Sequence, residues 1–211
     1  LVAVAYGPST VKAKVGKQKE ITIIEETDYP FKGSVKFRIL AAKPVRFSFY
    51  LRIPGWVEKA EITYKDKKVA GKGGSTVKIY ARWDPDEVIT MEIPMNIRVE
   101  KRYNNSLSVL RGPLYFSLRI DKEYRNVKIN YDNFSYKGSV DWEIYPKSPW
   151  NYGLMIDKNN LERGIRLTEN EVSRYPFADK GDMIWSADSV KYIPWDKDAA
   201  VMITTRGVKG P

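Results

Sequence analysis

Hydrophobic and polar residues alternate in short runs along the first part of the chain, and this period of two is typical of half-buried β-strands. In the run 46–53, for example, Phe47, Phe49 and Leu51 share one face, while Ser48 lies on the other. Such a run predicts a strand that turns one face toward a core. Eight runs of this kind predict strands at 20–25, 34–40, 46–53, 60–64, 76–83, 88–93, 106–110 and 114–120.

Residues that favour turns separate these runs, among them Pro54-Gly55 and Asn104-Asn105. Short strands at this density, with turns between them and no helical period, predict an all-β fold. We expect an antiparallel β-sandwich of the jelly-roll type, and we place this first domain at residues 1–122.

The pattern changes after residue 121, where the sequence becomes more polar and less regular. Short β-like segments at 127–131, 140–145, 153–156, 165–168 and 182–185 predict a second β-rich domain. We place this domain at residues 123–211 and expect it to be incomplete. A weak helical pattern at 160–175, which Gly164 interrupts, is an alternative for that segment.

The 211 residues include no cysteine and no histidine. This composition excludes Ser-His-Asp and Cys-His nucleophile pairs, Cys/His zinc sites and disulfide frameworks. A hydrophobic content of 43% is enough for buried cores. The sequence has no apolar run of about 18 residues, so it predicts no membrane-spanning helix.

The protein is basic, with 36 Lys and Arg against 26 Asp and Glu and a formal charge of +10. Such an excess raises nucleic acid, an anionic polysaccharide or a membrane surface as partners. The basic residues form no block, however, and they alternate with apolar ones, as in Val77-Lys78-Ile79. We therefore interpret them as solvated outer faces of strands, and we predict no nucleic-acid partner.

Paired carboxylates are the main remaining route to glycoside hydrolysis, which needs an acid opposite a base or nucleophile. Neighbouring residues of a strand face opposite ways, so Glu25 and Glu26 cannot share one cleft. The other clusters, at 84–87 and 196–198, are typical of turns, as is the Asp-containing segment 179–182. We predict no catalytic residue and no metal ligand in this protein segment.

A segment rich in Trp and Tyr and interrupted by prolines predicts an exposed loop in the second domain. Such rings either pack on a neighbouring domain or stack on the apolar faces of sugars. Both alternatives stay open, and packing is favoured. The candidate carbohydrate-binding residues are Trp142, Tyr145, Trp150 and Tyr152.

Seven short motifs follow one another between residues 26 and 195. They are Glu26-Thr27-Asp28-Tyr29-Pro30-Phe31; Leu51-Arg52-Ile53-Pro54-Gly55-Trp56; Arg82-Trp83; Ile93-Pro94-Met95; Arg111-Gly112-Pro113-Leu114; Trp142-Glu143-Ile144-Tyr145-Pro146 with Ser148-Pro149-Trp150-Asn151-Tyr152-Gly153-Leu154; and Ile193-Pro194-Trp195. In order and spacing they resemble the region that follows the catalytic barrel in β-L-arabinofuranosidase-like glycoside hydrolases, family 127 and its relatives, formerly a domain-of-unknown-function family. Two turns, at 65–68 and 84–86, differ from the family pattern.

The resemblance implies a bacterial parent enzyme whose N-terminal (α/α) barrel supplies a cysteine nucleophile bound to zinc, further cysteines and a glutamate. None of those positions lies in this sequence, so we expect no cofactor here and zinc only in the barrel. The sequence begins at Leu1, and we expect it to be a piece of a longer protein. The sequence does not determine the compartment of the parent protein. An extracytoplasmic location, periplasmic or secreted, is favoured.

These observations lead to two hypotheses about function. In the first, the protein is a non-catalytic accessory β-sandwich region that supports the barrel of a hydrolase acting on arabinofuranoside-type plant glycans. In the alternative, it is a carbohydrate-binding module that engages a glycan through exposed Trp and Tyr. The barrel is the expected partner, and contacts with plant polysaccharide or oligosaccharide and with further copies of the same protein are left open.

Overall fold

Strands dominate the structure, so the all-β class expected from the alternating pattern is confirmed. The structure is a computed structural model that describes residues 1–127, 141–172 and 199–209. The protein divides into two units, Leu1–Tyr115 and Phe116–Pro211. The domain bounds drawn from the sequence, 1–122 and 123–211, stay a prediction.

Twelve strands and a single 3-10 turn, Tyr103–Asn105, form the first unit up to its boundary. The strands are β1 (Val2–Ala3), β2 (Ser9–Val15), β3 (Lys19–Thr27), β4 (Ser34–Ala41), β5 (Val45–Arg52), β6 (Lys59–Tyr64), β7 (Lys67–Lys72), β8 (Thr76–Trp83), β9 (Glu87–Glu92), β10 (Ile97–Lys101), β11 (Leu107–Arg111) and β12 (Leu114–Phe116).

Two sheets of this unit face each other across a common core. The larger sheet has six antiparallel strands in the order β2-β3-β4-β9-β6-β7. The smaller sheet has the order β1-β5-β8, with β5 antiparallel to β8 and the short β1 parallel to β5. This arrangement is the predicted sandwich, and a third sheet, β10-β11-β12, accompanies it.

The core consists of the inward faces that the alternating pattern identified. Phe47, Phe49 and Leu51 on β5 are buried, as predicted for the run 46–53. Phe49 meets Phe37 of the opposite sheet edge to face, with ring centroids 5.3 Å apart. Trp83, the last residue of the predicted strand 76–83, is 0% exposed, so its indole lies in the core.

Four strands of the first unit have no counterpart among the predicted runs: β1, β2, β7 and β10. The strands β2 and β7 form the two edges of the six-stranded sheet. Only one residue of each is buried, Val15 in β2 and Gly71 in β7. An edge strand that contributes so little to the core shows a weak alternation of hydrophobic and polar residues, which explains why sequence reasoning missed both.

The described part of the second unit consists of two-stranded ribbons. They pair β13 (Lys122–Val127) with β14 (Asp141–Pro146), β15 (Tyr152–Leu154) with β18 (Gly207–Lys209), and β16 (Ile165–Glu169) with β17 (Val201–Thr205). The predicted strand at 182–185 and most of that at 127–131 lie outside the described residues.

The helical alternative for 160–175 is wrong beyond its first turn. Asn160 accepts a hydrogen bond from the Arg163 amide, and this cap starts the single turn α1 (Leu161–Gly164). The backbone then enters β16, because pairing with β17 outweighs the weak local preference for a helix. In the described segments, no helix has the length and hydrophobicity that a membrane crossing requires.

Candidate functional site

The aromatic residues proposed for sugar binding lie in two different ribbons of the second unit. Trp142 and Tyr145 belong to β14, whose register places Trp142 opposite Asn126 and Tyr145 opposite Glu123. Trp150 lies in the segment between ribbons, and Tyr152 begins β15. The side chain of Trp142 is outside the described part of the structure. Whether these residues bind carbohydrate stays a prediction.

The ring of Tyr145 is already engaged by charged neighbours. The guanidinium carbon of Arg125 lies 4.5 Å from the ring centroid, which is a cation–π contact. The Tyr145 hydroxyl donates to Glu143 Oε2 at 2.7 Å, and this bond to a carboxylate raises the pKa of Tyr145. One face of the ring is therefore covered by Arg125. Trp150, at 64% exposure, is the more accessible platform.

In the first unit, motifs that are far apart in the sequence meet at one place. Trp56, which follows the Pro54-Gly55 turn, packs against the core. Burial raises the pKa of Tyr29, and interaction with the Trp56 side chain opposes this rise. The guanidinium of Arg98 lies 5.9 Å from the centroid of the Trp56 ring. We call the group Tyr29, Phe31, Trp56, Met95, Arg111 and Gly112 the motif cluster.

The Arg111-Gly112-Pro113 bend closes the motif cluster from the other side. Arg111 is buried, and its Nη1 donates to the Phe31 carbonyl at 2.7 Å. Gly112 has a φ of 55°, and a Cβ at this position would lie 2.4 Å from the Met95 sulfur and 3.4 Å from Trp56. Glycine is required here both for the left-handed backbone and for this close approach. Residues from four of the seven motifs thus contact one another.

Beside the motif cluster lies a buried carboxylate, that of Glu25. It occupies an inward position of β3 together with Ile21 and Ile23 and is 9% exposed. The Gly7 amide donates to its Oε1 at 3.0 Å, and the Ser9 hydroxyl donates to its Oε2 at 3.4 Å. The carboxylate therefore fastens the segment between β1 and β2 to the sandwich.

Tyr6 lies in the same segment between β1 and β2 and is also tied to the sandwich by a hydrogen bond. The hydroxyl of Tyr6 donates to the Arg52 carbonyl. Its ring meets Tyr29 edge to face, with centroids 5.8 Å apart. Burial raises the pKa of Tyr6, so its hydroxyl stays protonated and can keep this bond. Sequence reasoning missed Tyr6, since a lone aromatic residue outside a periodic run carries no signal.

A comparison with protein families finds a match for the region that contains most of these contacts. Residues 1–95 match the family model described as "Beta-L-arabinofuranosidase, GH127 middle domain". This match confirms, for that part of the sequence, the resemblance that the motifs indicated, and the matched region includes Tyr29, Phe31, Trp56 and Met95 of the motif cluster.

Solved structures similar to this protein include two GH127 arabinofuranosidases. A GH127 β-L-arabinofuranosidase from Geobacillus stearothermophilus T6 is 19% identical, with a TM-score of 0.49 over 69% of this sequence and 30% of its own. The GH127 β-arabinofuranosidase BT3674 is 18% identical, with a TM-score of 0.48 over 75% of this sequence and 29% of its own. The 211 residues thus span less than a third of their length. The comparison with curated proteins gave no match.

Most of the carboxylates that the sequence analysis considered in the first unit are held in exposed ion pairs. Glu26 pairs with Lys36 at 3.2 Å, Asp28 pairs with Lys32 at 2.7 Å, and Asp86 forms two bonds with Arg38. As the parity of a strand predicted, Glu26 is exposed while Glu25 is buried. The cluster at 196–198 and the turn at 179–182 lie outside the described residues.

The structure offers Glu25 no partner for two-carboxylate chemistry. Among the described residues, the groups that influence its pKa are the Gly7 amide and the Ser9 hydroxyl, and neither is an acid. The same part of the protein has no cluster of three His, Cys, Asp or Glu side chains that could hold a metal ion. A thiolate zinc centre cannot form within these 211 residues at all, because the sequence has no cysteine.

The Glu25 carboxylate makes the stability of the first unit depend on pH. Burial raises the pKa of Glu25 above 4.5, against the opposing hydrogen bonds from Gly7 and Ser9. A raised pKa in the folded state means that the contribution of Glu25 to stability is lost as the pH rises through that value. Glu25→Gln should therefore gain stability relative to the wild type as the pH is raised from about 4 to about 7.

Denaturant unfolding at several pH values measures this difference. Glu26→Gln is the matched control, since it removes the neighbouring carboxylate from the outer face and breaks an exposed pair with Lys36. It should lose a little stability at neutral pH instead of gaining it. A constant difference between Glu25→Gln and the wild type across this pH range would contradict the prediction.

Proposed function

We propose that this protein is a non-catalytic accessory region of a glycoside hydrolase and that its sandwich supports a catalytic barrel elsewhere in the parent protein. The observation that carries the proposal is the match of residues 1–95 to a GH127 middle domain in a sequence without cysteine or histidine. The thiolates and imidazoles of most nucleophilic and zinc-dependent mechanisms are therefore absent from it.

The direction of the motif side chains supports a structural role. Arg111 is buried against Phe31, and Gly112 approaches Met95 and Trp56, so these residues face one another and the core. Side chains used in this way fix turns and leave no reactive group toward a substrate. A rigid end of the sandwich, built from turns of several strands, is suited to hold a neighbouring domain.

The description of the matched family suggests the substrate class of the parent. We propose an enzyme for arabinofuranoside-containing plant glycans, because the family model carries the name of a β-L-arabinofuranosidase. A zinc site of the thiolate type in that enzyme would have to lie in the barrel, because the present sequence has no cysteine for it. That this region follows the barrel in the parent sequence is part of the same proposal.

Two measurements test the accessory role. The isolated 211-residue protein should release no more product from a chromogenic β-L-arabinofuranoside than a buffer control does. In the parent protein, Trp83→Ala should shorten the half-life of thermal inactivation severalfold while KM stays within about twofold, because it damages the sandwich and not the substrate site. Turnover by the isolated protein, or an unchanged half-life, would contradict the proposal.

One observation favours the alternative role as a carbohydrate-binding module. Trp150 is 64% exposed and Tyr152 is 40% exposed, so both rings can meet a ligand. A pull-down on insoluble plant polysaccharide, with Trp150→Ala alongside, separates the two functions. Retention that is lost in the variant supports the binding module, whereas no retention of either protein supports the accessory role.

A further inference from the structure

The excess of positive charge belongs almost entirely to the first unit. Residues 1–115 contain 21 of the 36 Lys and Arg but only 12 of the 26 Asp and Glu, which gives this unit a formal charge of +9 out of +10. A field of this size is expected to act on charged partners over several ångströms in low salt. The two sheets of the sandwich distribute these charges differently.

The outer face of the six-stranded sheet mixes cations with carboxylates. Lys36 of β4 lies directly opposite Glu26 of β3, and the two are 3.2 Å apart. Lys68 of β7 is 2.7 Å from Glu61 of β6. Charges of opposite sign on neighbouring strands stabilise a sheet, and these pairs satisfy part of the positive charge of this face within the fold, although Lys59 lies opposite Lys72.

On the outer face of the smaller sheet, two arginines lie directly opposite each other. The register of β5 and β8 pairs Arg46 with Arg82, Ser48 with Tyr80, Tyr50 with Lys78, and Arg52 with Thr76. We call these eight residues the basic face. It holds four cations, two phenols and two hydroxyls, and it has no carboxylate. Directly opposed like charges destabilise a sheet, so the Arg46–Arg82 pair has a cost within the fold.

The cations of the basic face are largely available. Arg46 forms no ion pair with a described residue, and Arg82 reaches only Asp84, at 3.9 Å, with 61% of its side chain exposed. Lys78 lies 5.7 Å from the ring of Tyr50. Arg52 is the exception, since its Nε donates to the Val4 carbonyl at 2.6 Å.

Two phenol rings lie between the cations. Tyr80 is 64% exposed, and Tyr50 is its diagonal neighbour, since Tyr80 pairs with Ser48 two residues before Tyr50. Diagonal neighbours on a sheet are about 7–8 Å apart. The basic face thus presents a pair of arginines, then two rings, then a lysine, along a strip that is two strands wide.

We infer that the basic face binds an anionic polysaccharide, a polymer of sugars that carry carboxylates. The phenols supply flat surfaces for the apolar sides of sugar rings, and the guanidinium groups of Arg46 and Arg82 form charge-assisted hydrogen bonds with carboxylates. The strip is two strands wide, so it suits one extended polymer strand. This inference does not depend on the proposed support of a barrel.

Polygalacturonate is the probe that tests the inference, with neutral dextran of similar length as the reference polymer. We expect the 211-residue protein to be retarded in gels that contain polygalacturonate, less so at higher salt, and not to be retarded by dextran. Arg46→Gln combined with Arg82→Gln should weaken the affinity about tenfold, and Tyr80→Ala should weaken it about threefold without any change of charge.

Lys12→Gln combined with Lys72→Gln is the matched control. It removes two exposed lysines from β2 and β7, the edges of the other sheet, and it should change the affinity less than about twofold. Equal losses in the two double variants would show that net charge alone is responsible and would overturn the inference. No retardation of a wild type that unfolds normally on heating would also overturn it.

A single-stranded oligothymidylate distinguishes the glycan from a nucleic acid. Both polymers are anionic and both can stack on phenols, so the comparison has to be made at equal ionic strength. Tighter binding of polygalacturonate supports the inference, and tighter binding of the oligonucleotide through Arg46 and Arg82 would overturn it. Neither result affects the outcome of the arabinofuranoside assay. The accessory role and the binding of an anionic polysaccharide can therefore be refuted independently.

Discussion

Trp83→Ala should destabilise the first unit by about 3–5 kcal/mol, the range found when a buried aromatic side chain is truncated to alanine. Trp83 is fully buried. The centroid of its ring lies 5.3 Å from that of Phe47 and 4.8 Å from that of Tyr64. Tyr64 belongs to the six-stranded sheet, so the indole joins the two layers. Its Nε1 also donates to the Phe47 carbonyl at 3.0 Å, and this acceptor would lose its partner.

Amide hydrogen exchange in β5 measures this effect directly, because those amides are protected only while the first unit is folded. Trp150→Ala is the matched control: it removes the same side chain from a position that is 64% exposed, and it should leave β5 protection unchanged. Trp83→Phe should fall between the two. Protection in Trp83→Ala equal to that of the wild type would refute the assigned role of the indole.

Gly33→Ala is expected to cost about 3 kcal/mol, for a reason that involves no cavity. A Cβ on Gly33 would lie 2.0 Å from the carbonyl oxygen of Ile93 and 3.2 Å from Met95 Cγ. The Ile93 amide donates to the Gly33 carbonyl at 2.9 Å, so the two backbones are held in direct contact. A carbonyl oxygen in this position cannot turn aside as a flexible side chain would.

Gly55→Ala makes the same chemical change where there is room for it. A Cβ on Gly55 would meet no atom within 4 Å, and its backbone is outside the left-handed region. The substitution should be neutral or slightly stabilising, since alanine restricts the unfolded state. Chemical unfolding of both variants measures the difference, and a similar cost for the two would rule out the steric explanation for Gly33.

The inward faces of the sandwich could be predicted because their signal is local. The run 46–53 repeats an aromatic or aliphatic residue at every second position, and each of those residues is buried. The same rule of parity showed that Glu25 and Glu26 face opposite ways. It could also have shown that Glu25 is the inward one, since Glu25 shares its face with Ile21 and Ile23.

The elements that sequence reasoning missed depend on their pairing partners. The residues of β10 are half-buried from Ile97 to Glu100, so they show no alternation, and the strand is defined by its pairing with β11. The segment predicted at 165–168 is present as β16, but its partner β17 at 201–205 was not predicted. That contact lies far outside any window that a periodic pattern can cover.

For the candidate sites, too, local features could be predicted from the sequence, whereas contacts between separate segments could not. Alternation predicted that Lys78, Tyr80 and Arg82 share an outer face, but the opposition of Arg82 to Arg46 becomes visible only when β5 and β8 are paired. The motifs were visible as short sequences, whereas their convergence around Trp56 required the fold. Least could be predicted for the second unit, because the sequence around its aromatic candidates shows no pattern that would indicate which residues lie next to them.

The connectivity of the larger sheet has a consequence for how the protein folds. Its central pair joins β4 to β9, with Ser34 opposite Glu92, and the whole of the β5–β8 segment lies between them in sequence. The hairpins β2–β3, β3–β4 and β6–β7 close over short loops. The pairing of β4 with β9 instead requires the closure of a long loop. Such non-local pairing is typical of domains that fold in milliseconds to seconds, and it should make the formation of β4–β9 the slow step for the first unit.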